Sequence, residues 1–433
     1  MVKGKQKQIE VWADWVGMKQ PIRIGTLYAS PGRGHEIFSF EYEAAWLRSP
    51  HAQSLDPSLA LYGGVQYAPQ GLGNFNLFLD SSPDRWGRVL MERREAQRAR
   101  ENARRELSLL ESDYLLGVYD GHRMGGLRFR IDSHGPFLDD DHAYATPPWT
   151  SLGELEHASL QLEKSGAESK SSYKRWLSML MAPGASLGGA RPKASVIDYK
   201  GALWIAKFPS RGDRHDVGAW EYVVNTLGRK AGLNIATAQL KRLASEHHTF
   251  LTQRFDRNPR RERIHFASAM TLLQRKDGDS GMDGASYLEL AELIVQGGAQ
   301  PAKDLHELWA RIVFSICVSN VDDHLRNHGF LLTPRGWTLS PMYDVNPNPL
   351  GDGLLLNISD TDNTQSLELA LEVASFFRLN PKQAKTTIDR VVKAVQAWPK
   401  EARALKLSKD EQDRIASAFR VADGARADFT GAA

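Results

Sequence analysis

The chain has 433 residues, 42% of them hydrophobic and 25% charged, and a formal net charge of +3 at pH 7. This length exceeds one ordinary hydrophobic core, so we expect two or three domains in a protein of globular composition. The small net charge does not by itself indicate nucleic-acid binding, and a single cysteine excludes a disulfide framework. No apolar leader follows Met1 and no apolar run is long enough to span a bilayer, which predicts a cytoplasmic protein with no membrane partner.

The first part of the chain is predicted to be rich in β-strands. Residues 9–42 alternate apolar and polar side chains between glycine-containing turns. Residues 85–105 are rich in arginine, with glutamates at helical spacing, which predicts a solvated helix and leaves a phosphate-contacting face as the weaker alternative. Residues 134–150 show no periodicity and read as a linker. We therefore predict a β-rich N-terminal domain over residues 1–150.

Two predicted hairpins follow, within a second domain over residues 151–254. The first hairpin, residues 194–208, carries Lys207 near the end of its second strand. A lysine there either extends to the edge of the sheet or binds a buried anion such as a nucleotide phosphate. Glu221 on the next predicted helix is a candidate ion-pair partner for Lys207, and an ordinary surface glutamate is an equal alternative. The second hairpin ends at residue 254, where helical sequence begins.

The most informative stretch is residues 314–347, within a third, helical domain over residues 255–433. It reads as the end of an apolar helix, a polar loop, two short strands and a second acidic loop. Asp322 precedes Asn327 by five residues, the spacing of the catalytic base and the metal-binding asparagine in protein kinases. Because the two short strands form a hairpin, Asp344 is predicted to return to Asn327, where the two could bind Mg²⁺.

Two other interpretations of the polar loop stay open from the residues alone. Asp322 and Asp323 could cap a helix end, or they could join His324 as ligands of a hydrolytic metal centre. Kinase chemistry requires a nucleotide-binding half elsewhere in the chain. Gly188 and Gly189 would let amide N–H groups cradle phosphate oxygens, although their loop has neither the Walker nor the G-x-G-x-x-G spacing.

Five motifs in order resemble the HipA family of serine/threonine kinases, the toxins of type II toxin–antitoxin systems. They are SLGGARPK at 186–193, WIAKFP at 204–209, RFDR at 254–257, DDHLRN at 322–327 and Tyr343-Asp344. Residues 82–88 and 113–130 resemble the family's N-terminal region. The resemblance implies an α+β class, with a two-lobed protein-kinase-like fold. Its β-rich N-terminal half would include an extra β subdomain, and its C-terminal lobe would be all helical.

The resemblance also implies the residues of the site. Asp322 would be the catalytic base, and Asn327 and Asp344 would bind Mg²⁺. The implied ATP-binding residues are Gly188, Gly189, Ala190, Arg191, Pro192, Lys193, Lys207, Gln253, Arg254, Phe255, His324, Asn327, Tyr343 and Asp344. Ser186 would be autophosphorylated, which would silence the kinase because a phosphate dianion competes with ATP for the same N–H groups.

The family's partners complete the expectation. A helix-turn-helix antitoxin, HipB-like, neutralises the kinase, and the complex binds operator DNA and represses its own operon. The best-known target class is an aminoacyl-tRNA synthetase, glutamyl-tRNA synthetase in particular, whose phosphorylation arrests growth and promotes persistence. The alternative function is a catalytically weak partner and corepressor of the DNA-binding antitoxin. The basic segment at residues 85–105 gives this alternative some support.

Overall fold

The computed structural model describes residues 6–138, 147–181, 189 and 191–425. In these residues the strands are β1 (Lys7–Ala13), β2 (Ile22–Pro31), β3 (Glu36–Tyr42), β4 (Val65–Tyr67), β5 (Leu127–Arg130), β6 (Lys193–Ile197), β7 (Leu203–Lys207), β8 (Ala238–Arg242), β9 (His248–Gln253), β10 (Phe266–Ser268), β11 (Gly329–Thr333) and β12 (Gly336–Leu339). The helices in the same residues are α1 (Ala44–Leu47), α2 (Asn76–Leu79), α3 (Arg85–Glu101), α4 (Glu111–Leu116), α5 (Leu152–Leu162), α6 (Tyr173–Met181), α7 (Val217–Lys230), α8 (Ala269–Leu272), α9 (Tyr287–Gly297), α10 (Pro301–Val318), α11 (Leu367–Glu372), α12 (Pro381–Val395), α13 (Trp398–Ala404), α14 (Lys409–Ile415) and α15 (Arg420–Gly424).

The distribution of these elements confirms the predicted α+β class. Most strands precede residue 270, and the later residues are mainly helical. The C-terminal part is not all helical, however, because β11 and β12 pair there as an antiparallel hairpin, with Phe330 opposite Leu339. That hairpin matches the two short strands predicted from the sequence.

The chain divides into two compact units. Unit 1 comprises Met1–Gly212, Leu243–Ser245 and Gln253–Ala267, and unit 2 comprises Asp213–Arg242, Glu246–Thr252 and Ser268–Ala433. The domain boundaries after residues 150 and 254 stay a prediction.

Unit 1 is built on a five-stranded sheet in the order β4-β3-β2-β1-β5, in which neighbouring strands are antiparallel. Aromatic side chains fill its core: Phe40 on β3 packs against Phe78 on α2, with ring centroids 5.8 Å apart, and Phe78 contacts Phe129 on β5 at 6.1 Å. Gly25 on β2 is required by close strand approach, because a Cβ there would lie 2.2 Å from the Glu41 oxygen. Burial of this apolar face holds the sheet and α2 together.

A predicted hairpin and a predicted helix are also confirmed in unit 1. Strands β6 and β7 pair antiparallel around a turn in which Gly201 has φ +79°. The Asp198 carboxylate accepts hydrogen bonds from the backbone N–H groups of Lys200 and Ala202, both at 2.8 Å. Helix α3 begins at Asp84, whose side chain accepts from Gly87 N at 2.8 Å, the usual role of an N-cap aspartate.

A buried carboxylate organises the polar core of unit 1. Asp256 is fully buried and accepts hydrogen bonds from Arg254 Nη2 at 2.7 Å, Arg257 Nη1 at 2.5 Å and Gly125 N at 2.9 Å. Burial by itself would raise the pKa of Asp256, but the two guanidinium groups hold that pKa well below its usual range. The Asp256 carboxylate therefore stays ionised. It connects the RFDR segment, residues 254–257, to Gly125 in the loop that precedes β5.

His265 is a second buried ionisable group of unit 1. Its ring stacks on Trp15 with centroids 4.9 Å apart, and Gly126 N donates to its Nδ1 at 3.4 Å. Burial lowers the pKa of His265 to about 3 from 6.5. The folded protein therefore contains the neutral imidazole at neutral pH.

We expect His265 to make the protein less stable in mild acid. Between pH 6.5 and the folded pKa of about 3 the unfolded chain binds a proton that the folded chain excludes. The free energy of unfolding should therefore fall by about 2 kcal/mol from pH 6.5 to 5 through this residue. Phenylalanine keeps the contact with Trp15 but cannot be protonated, so urea unfolding of His265→Phe should show a smaller loss over this range. Equal losses in the two proteins would contradict the assignment.

Unit 2 is organised around helix α10. Its residues from Leu308 to Val318 are all buried, so the helix is enclosed on every side. It packs against α9, α11, α12 and α15. The second predicted hairpin is confirmed as β8 and β9, with Leu240 opposite Phe250. Among the described residues, none of the helices combines the length and the apolar character needed to cross a bilayer.

Candidate active site

The loop that follows α10 carries Asp322 and Asn327. Ser319 ends α10 with φ +48°, and Asn348 N donates to its carbonyl oxygen at 3.1 Å. A left-handed residue at this position turns the chain sharply away from the helix axis. Asp322 then lies on the surface, whereas Asn327 lies in a short 3₁₀ turn and is only 5% exposed.

Asn327 is oriented by its own loop. Its Nδ2 donates to the Asp322 carbonyl oxygen at 2.8 Å, and its backbone N donates to the His324 carbonyl oxygen at 2.7 Å. Its Oδ1 is buried and has no hydrogen-bond partner in the part of the chain that the structure describes. Because the amide nitrogen is already used, the oxygen is the atom left to bind a ligand.

Asp323 points into the protein rather than into the site. Its Oδ2 accepts from Tyr287 Oη at 2.5 Å and from Ser315 Oγ at 3.3 Å, and its Oδ1 lies 3.0 Å from His328 Nε2. Burial would raise the pKa of Asp323, but the nearby His328 and the hydrogen bond from Tyr287 hold that pKa below its usual value. The pKa of Tyr287 is raised well above its ordinary value by burial and by the Asp323 charge. Asp323 is therefore a buried anion that anchors the loop.

This arrangement argues against a hydrolytic metal centre at Asp322, Asp323 and His324. The described residues contain no group of three or more His, Cys, Asp or Glu side chains placed to bind a metal ion. The Asp322 and Asp323 side chains do not converge on one point, because Asp323 faces α9 and α10 whereas Asp322 is exposed.

The segment with Tyr343 and Asp344 lies against the same loop within unit 2. Tyr343 Oη donates to the Arg326 carbonyl oxygen at 2.6 Å. Asn346 N donates to Asn320 Oδ1 at 3.2 Å. Asp344 itself has φ +55°, a left-handed conformation that costs energy for a residue other than glycine and that recurs at active sites. The hairpin thus returns the chain to the loop, as the sequence pattern indicated.

The two adjoining segments contain several buried polar atoms without partners. Within the described part of the chain, these are Asn320 Nδ2, His324 Nδ1, Asn327 Oδ1 and Asn346 Oδ1. Buried polar atoms are nearly always paired in proteins, so such a cluster indicates a place where a bound ligand supplies the partners. The oxygens of Asn327 and Asp344 are of the type that Mg²⁺ prefers, so the residues present fit this ion. Asn320 and Asn346 were not among the residues predicted from the sequence.

Asp344 lines a small cavity together with residues of helix α7. This cavity of about 10 Å³, enough for one water molecule, is lined by Asp344, Glu221, Asn225 and Thr252 among others. Glu221 is only 3% exposed, so it is not the ordinary surface glutamate of the alternative interpretation. Its pairing with Lys207 stays a prediction.

In unit 1 the structure pairs Lys193 with Lys207 across the β6–β7 hairpin, and both side chains are buried. Lys207 therefore does not extend into solvent at the sheet edge. Lys193 Nζ lies 2.8 Å from Asp84 Oδ2 and 2.8 Å from the Gly189 carbonyl oxygen. Buried ammonium groups require anionic or hydrogen-bonding partners, and Lys193 finds them at the start of α3 and in the predicted phosphate loop.

Residues 189 and 191–193 are the part of the predicted phosphate loop that the structure describes. Gly189 has φ +45°, and Pro192 accepts a hydrogen bond from Phe208 N at 2.9 Å, which continues the pairing of β6 with β7. Arg191 is half-buried. Ser186, Gly188 and Ala190 lie outside the described residues, so their predicted roles stay predictions.

The side chain of Arg254, a residue predicted to bind ATP, is hydrogen-bonded within the core of unit 1. Its Nε and Nη2 donate to Asp256, and its Nη1 donates to the His122 carbonyl oxygen at 2.6 Å. Because these donors serve the core of unit 1, the side chain could contact ATP only by giving up bonds to a buried carboxylate. Gln253 ends β9 half-buried, and the ring of Phe255 packs 6.2 Å from that of Phe266.

Comparison with known proteins identifies one domain of the chain. Residues 185–398 match the model of the HipA-like C-terminal domain. The chain contains a HipA-like C-terminal domain. The match contains Asp322, Asn327 and Asp344 and confirms the resemblance seen in the motifs.

Three relatives of this chain are named as kinases. "Putative kinase Y4mE" of Sinorhizobium fredii is 28% identical over 183 residues, which cover 37% of this chain and 41% of that protein. "Putative kinase" of Haemophilus influenzae is 26% identical over 189 residues, covering 38% and 54%. "Putative kinase Y4dM" of S. fredii is 28% identical over 238 residues, covering 50% and 56%. The chain thus spans about half the length of these relatives.

One solved structure extends the HipA likeness to nearly the whole chain. A chain of the Shewanella oneidensis MR-1 toxin–antitoxin complex of HipA, HipB and operator DNA has a TM-score of 0.63 at 19% identity. The likeness covers 93% of this chain and 94% of that one. The two chains therefore share a fold.

We expect the buried Asp323 to be far more important for stability than its exposed neighbour. Asp323→Asn removes the buried carboxylate that accepts hydrogen bonds from Tyr287 and Ser315, and the loss of these bonds to a buried charge should lower the free energy of unfolding by about 3 kcal/mol. Asp322→Asn is the matched control and should change it by less than about 1 kcal/mol. Urea unfolding at neutral pH measures both variants. Similar values for the two would show that Asp323 does not anchor the loop.

Proposed function

We propose that the protein is a serine/threonine protein kinase that uses ATP and Mg²⁺. The observation that carries this proposal is the meeting of two loop segments, one with Asp322 and Asn327 and one with Asp344, at a cluster of buried polar atoms without partners. The HipA-like C-terminal domain and the relatives named as kinases support the same activity.

Each residue has a role that follows from its position. The exposed carboxylate of Asp322 accepts the proton of the substrate hydroxyl as its oxygen forms a bond to the γ-phosphorus and the bond to the ADP oxygen breaks. Asn327 Oδ1 and the Asp344 carboxylate would hold Mg²⁺. When bound, the ion neutralises charge on the β- and γ-phosphates. Asp323 fixes the loop so that Asp322 and Asn327 keep their positions.

The nucleotide would be bound by residues of the predicted loop and hairpin. Lys207 contacts the phosphates, Gly188 to Lys193 form the phosphate loop, and His324 and Tyr343 line the pocket. For the adenine side we retain Gln253 and Phe255 and leave out the Arg254 side chain, whose donors serve Asp256. Autophosphorylation of Ser186 would place a dianion where the ATP phosphates bind and would switch the kinase off.

The proposed partners of this chain are taken from the solved structure with the same fold. Because that structure contains HipA, HipB and operator DNA, we propose that this chain acts as a toxin that a helix-turn-helix antitoxin neutralises. Operator DNA would be bound through the antitoxin. The protein substrate in this proposal is an aminoacyl-tRNA synthetase, and its phosphorylation would arrest growth.

The alternative, a catalytically weak corepressor, receives less support from the basic helix than the sequence suggested. Arg88 of α3 is bound to Glu111 at 2.7 Å, and Arg104 just beyond the helix is bound to Glu95 at 2.6 Å. These arginines are engaged within the chain, which reduces the positive charge available to DNA phosphates.

Replacement of Asp322 tests the proposal. Asp322→Asn keeps the size of the side chain but removes the base, so transfer of ³²P from labelled ATP should fall by about a hundredfold or more. Binding of Mg-ATP, measured by calorimetry, should stay within about threefold of wild type, since the base does not hold the nucleotide. Asp410→Asn, an exposed aspartate in the first turn of α14, is the control and should transfer phosphate normally. Undiminished transfer by Asp322→Asn would refute the role of this residue.

A further inference from the structure

Asn346 lies two residues after Asp344 and has not been assigned as a ligand of the proposed metal site. Its side-chain Nδ2 donates to Asp344 Oδ1 at 3.3 Å. Its Oδ1 is buried and has no partner among the residues that the structure describes. The orientation of the amide is set by this bond, because a carboxylate can only accept. The amide oxygen is therefore turned away from the Asp344 oxygen that its nitrogen contacts.

Asn320 fixes the backbone of Asn346. Asn320 is 1% exposed, and its Oδ1 accepts from Asn346 N at 3.2 Å. The loop after α10 thus determines where the second acidic loop lies. Asn348 N also donates to the Ser319 carbonyl oxygen at 3.1 Å, so both ends of the three-residue segment 346–348 are bound to the same turn. A side chain on so constrained a backbone is well placed to contribute to a metal site, which requires fixed ligands.

The amide oxygen of Asn346 is close enough to act together with Asp344. The oxygen and nitrogen of one amide are about 2.2 Å apart, so Asn346 Oδ1 lies within about 5.5 Å of Asp344 Oδ1. Two oxygens bound to one Mg²⁺ are separated by up to about 4.2 Å, since each lies about 2.1 Å from the ion. Small side-chain rotations are enough to bring both oxygens to one ion.

An asparagine with only a structural role is expected to have its side-chain oxygen hydrogen-bonded within the protein, as in the nearby Asn348. Asn348 Oδ1 accepts from Leu350 N at 2.9 Å and so is satisfied within its own turn. Leaving a buried acceptor without a hydrogen bond destabilises the folded protein, which is expected where a bound ligand supplies the missing partner. Asn327 Oδ1, on the adjoining loop, is in the same situation.

We propose that Asn346 is a third protein ligand of the divalent cation, presenting Oδ1 beside the oxygens of Asp344 and Asn327, and that Asn320 is its positioning residue. This proposal rests on the proposed kinase function and adds to its metal site. Three oxygens, of which only one belongs to a carboxylate, leave positions for water and for the phosphates of a nucleotide.

The test measures metal binding directly rather than activity. Mn²⁺ replaces Mg²⁺ at sites built from oxygen ligands. The concentration of unbound Mn²⁺ is measured by electron paramagnetic resonance. Mn²⁺ is titrated into the full-length protein with a non-hydrolysable ATP analogue present. The proteins compared are wild type, Asn346→Ala, Asn346→Asp and the matched control Asn348→Ala. Thermal unfolding of each in EDTA shows that the variants fold.

Asn346→Ala should lower the Mn²⁺ affinity by about tenfold or more, and Asn348→Ala should leave it unchanged. Asn346→Asp should keep or strengthen Mn²⁺ binding, because it restores an oxygen ligand, but should melt at a lower temperature in EDTA, where two carboxylates repel. If wild type binds Mn²⁺ and both alanine variants match it, the ligand role of Asn346 is overturned while the kinase proposal stands. If wild type binds no Mn²⁺ with the analogue, the kinase proposal itself fails. A loss of thermal stability in Asn346→Ala without a change in Mn²⁺ affinity would also overturn the ligand role.

Discussion

The buried carboxylate of Asp323 is the interaction on which the candidate site depends. It joins Tyr287 at the start of α9, Ser315 on α10 and His328 at the start of the β11–β12 hairpin. These three elements meet only because α10 is enclosed in the core of unit 2. With Asp323 directed inward, Asp322 is left on the surface. The carboxylate that we propose as the base is thus positioned by its neighbour in the sequence.

A second constraint comes from the two ends of the hairpin. Tyr343 and Asn346 hydrogen-bond the loop after α10 at two separate points, and between them Asp344 adopts a left-handed backbone. Such a conformation persists only where surrounding contacts fix it. The same region concentrates buried polar atoms that lack partners in the described chain, among them Asn327 Oδ1. Rigid backbone and unsatisfied side chains together are what a preformed metal and nucleotide site requires.

Local patterns in the sequence predicted much of this. The spacing of Asp322 and Asn327, the short strands after them and the apolar periodicity of α10 all lie within residues 301–339, and each has a direct structural meaning. The inward direction of Asp323 could not be predicted, because it depends on Tyr287, thirty-six residues earlier in the chain. The hydrogen bond from the Arg254 side chain to the His122 carbonyl oxygen could not be predicted either, because His122 is 132 residues away. Burial of His265 against Trp15 likewise arises only from tertiary packing.

The central claim is that Asp344 and Asn327 bind a nucleotide through Mg²⁺. Calorimetry of a non-hydrolysable ATP analogue with Mg²⁺ and with EDTA, on wild type and on Asp344→Asn, tests it most directly. The account predicts that Mg²⁺ strengthens binding to wild type by about tenfold or more and that Asp344→Asn loses this increment but keeps the affinity measured in EDTA. An unchanged Mg²⁺ increment in Asp344→Asn, or no binding of the nucleotide to wild type, would contradict it.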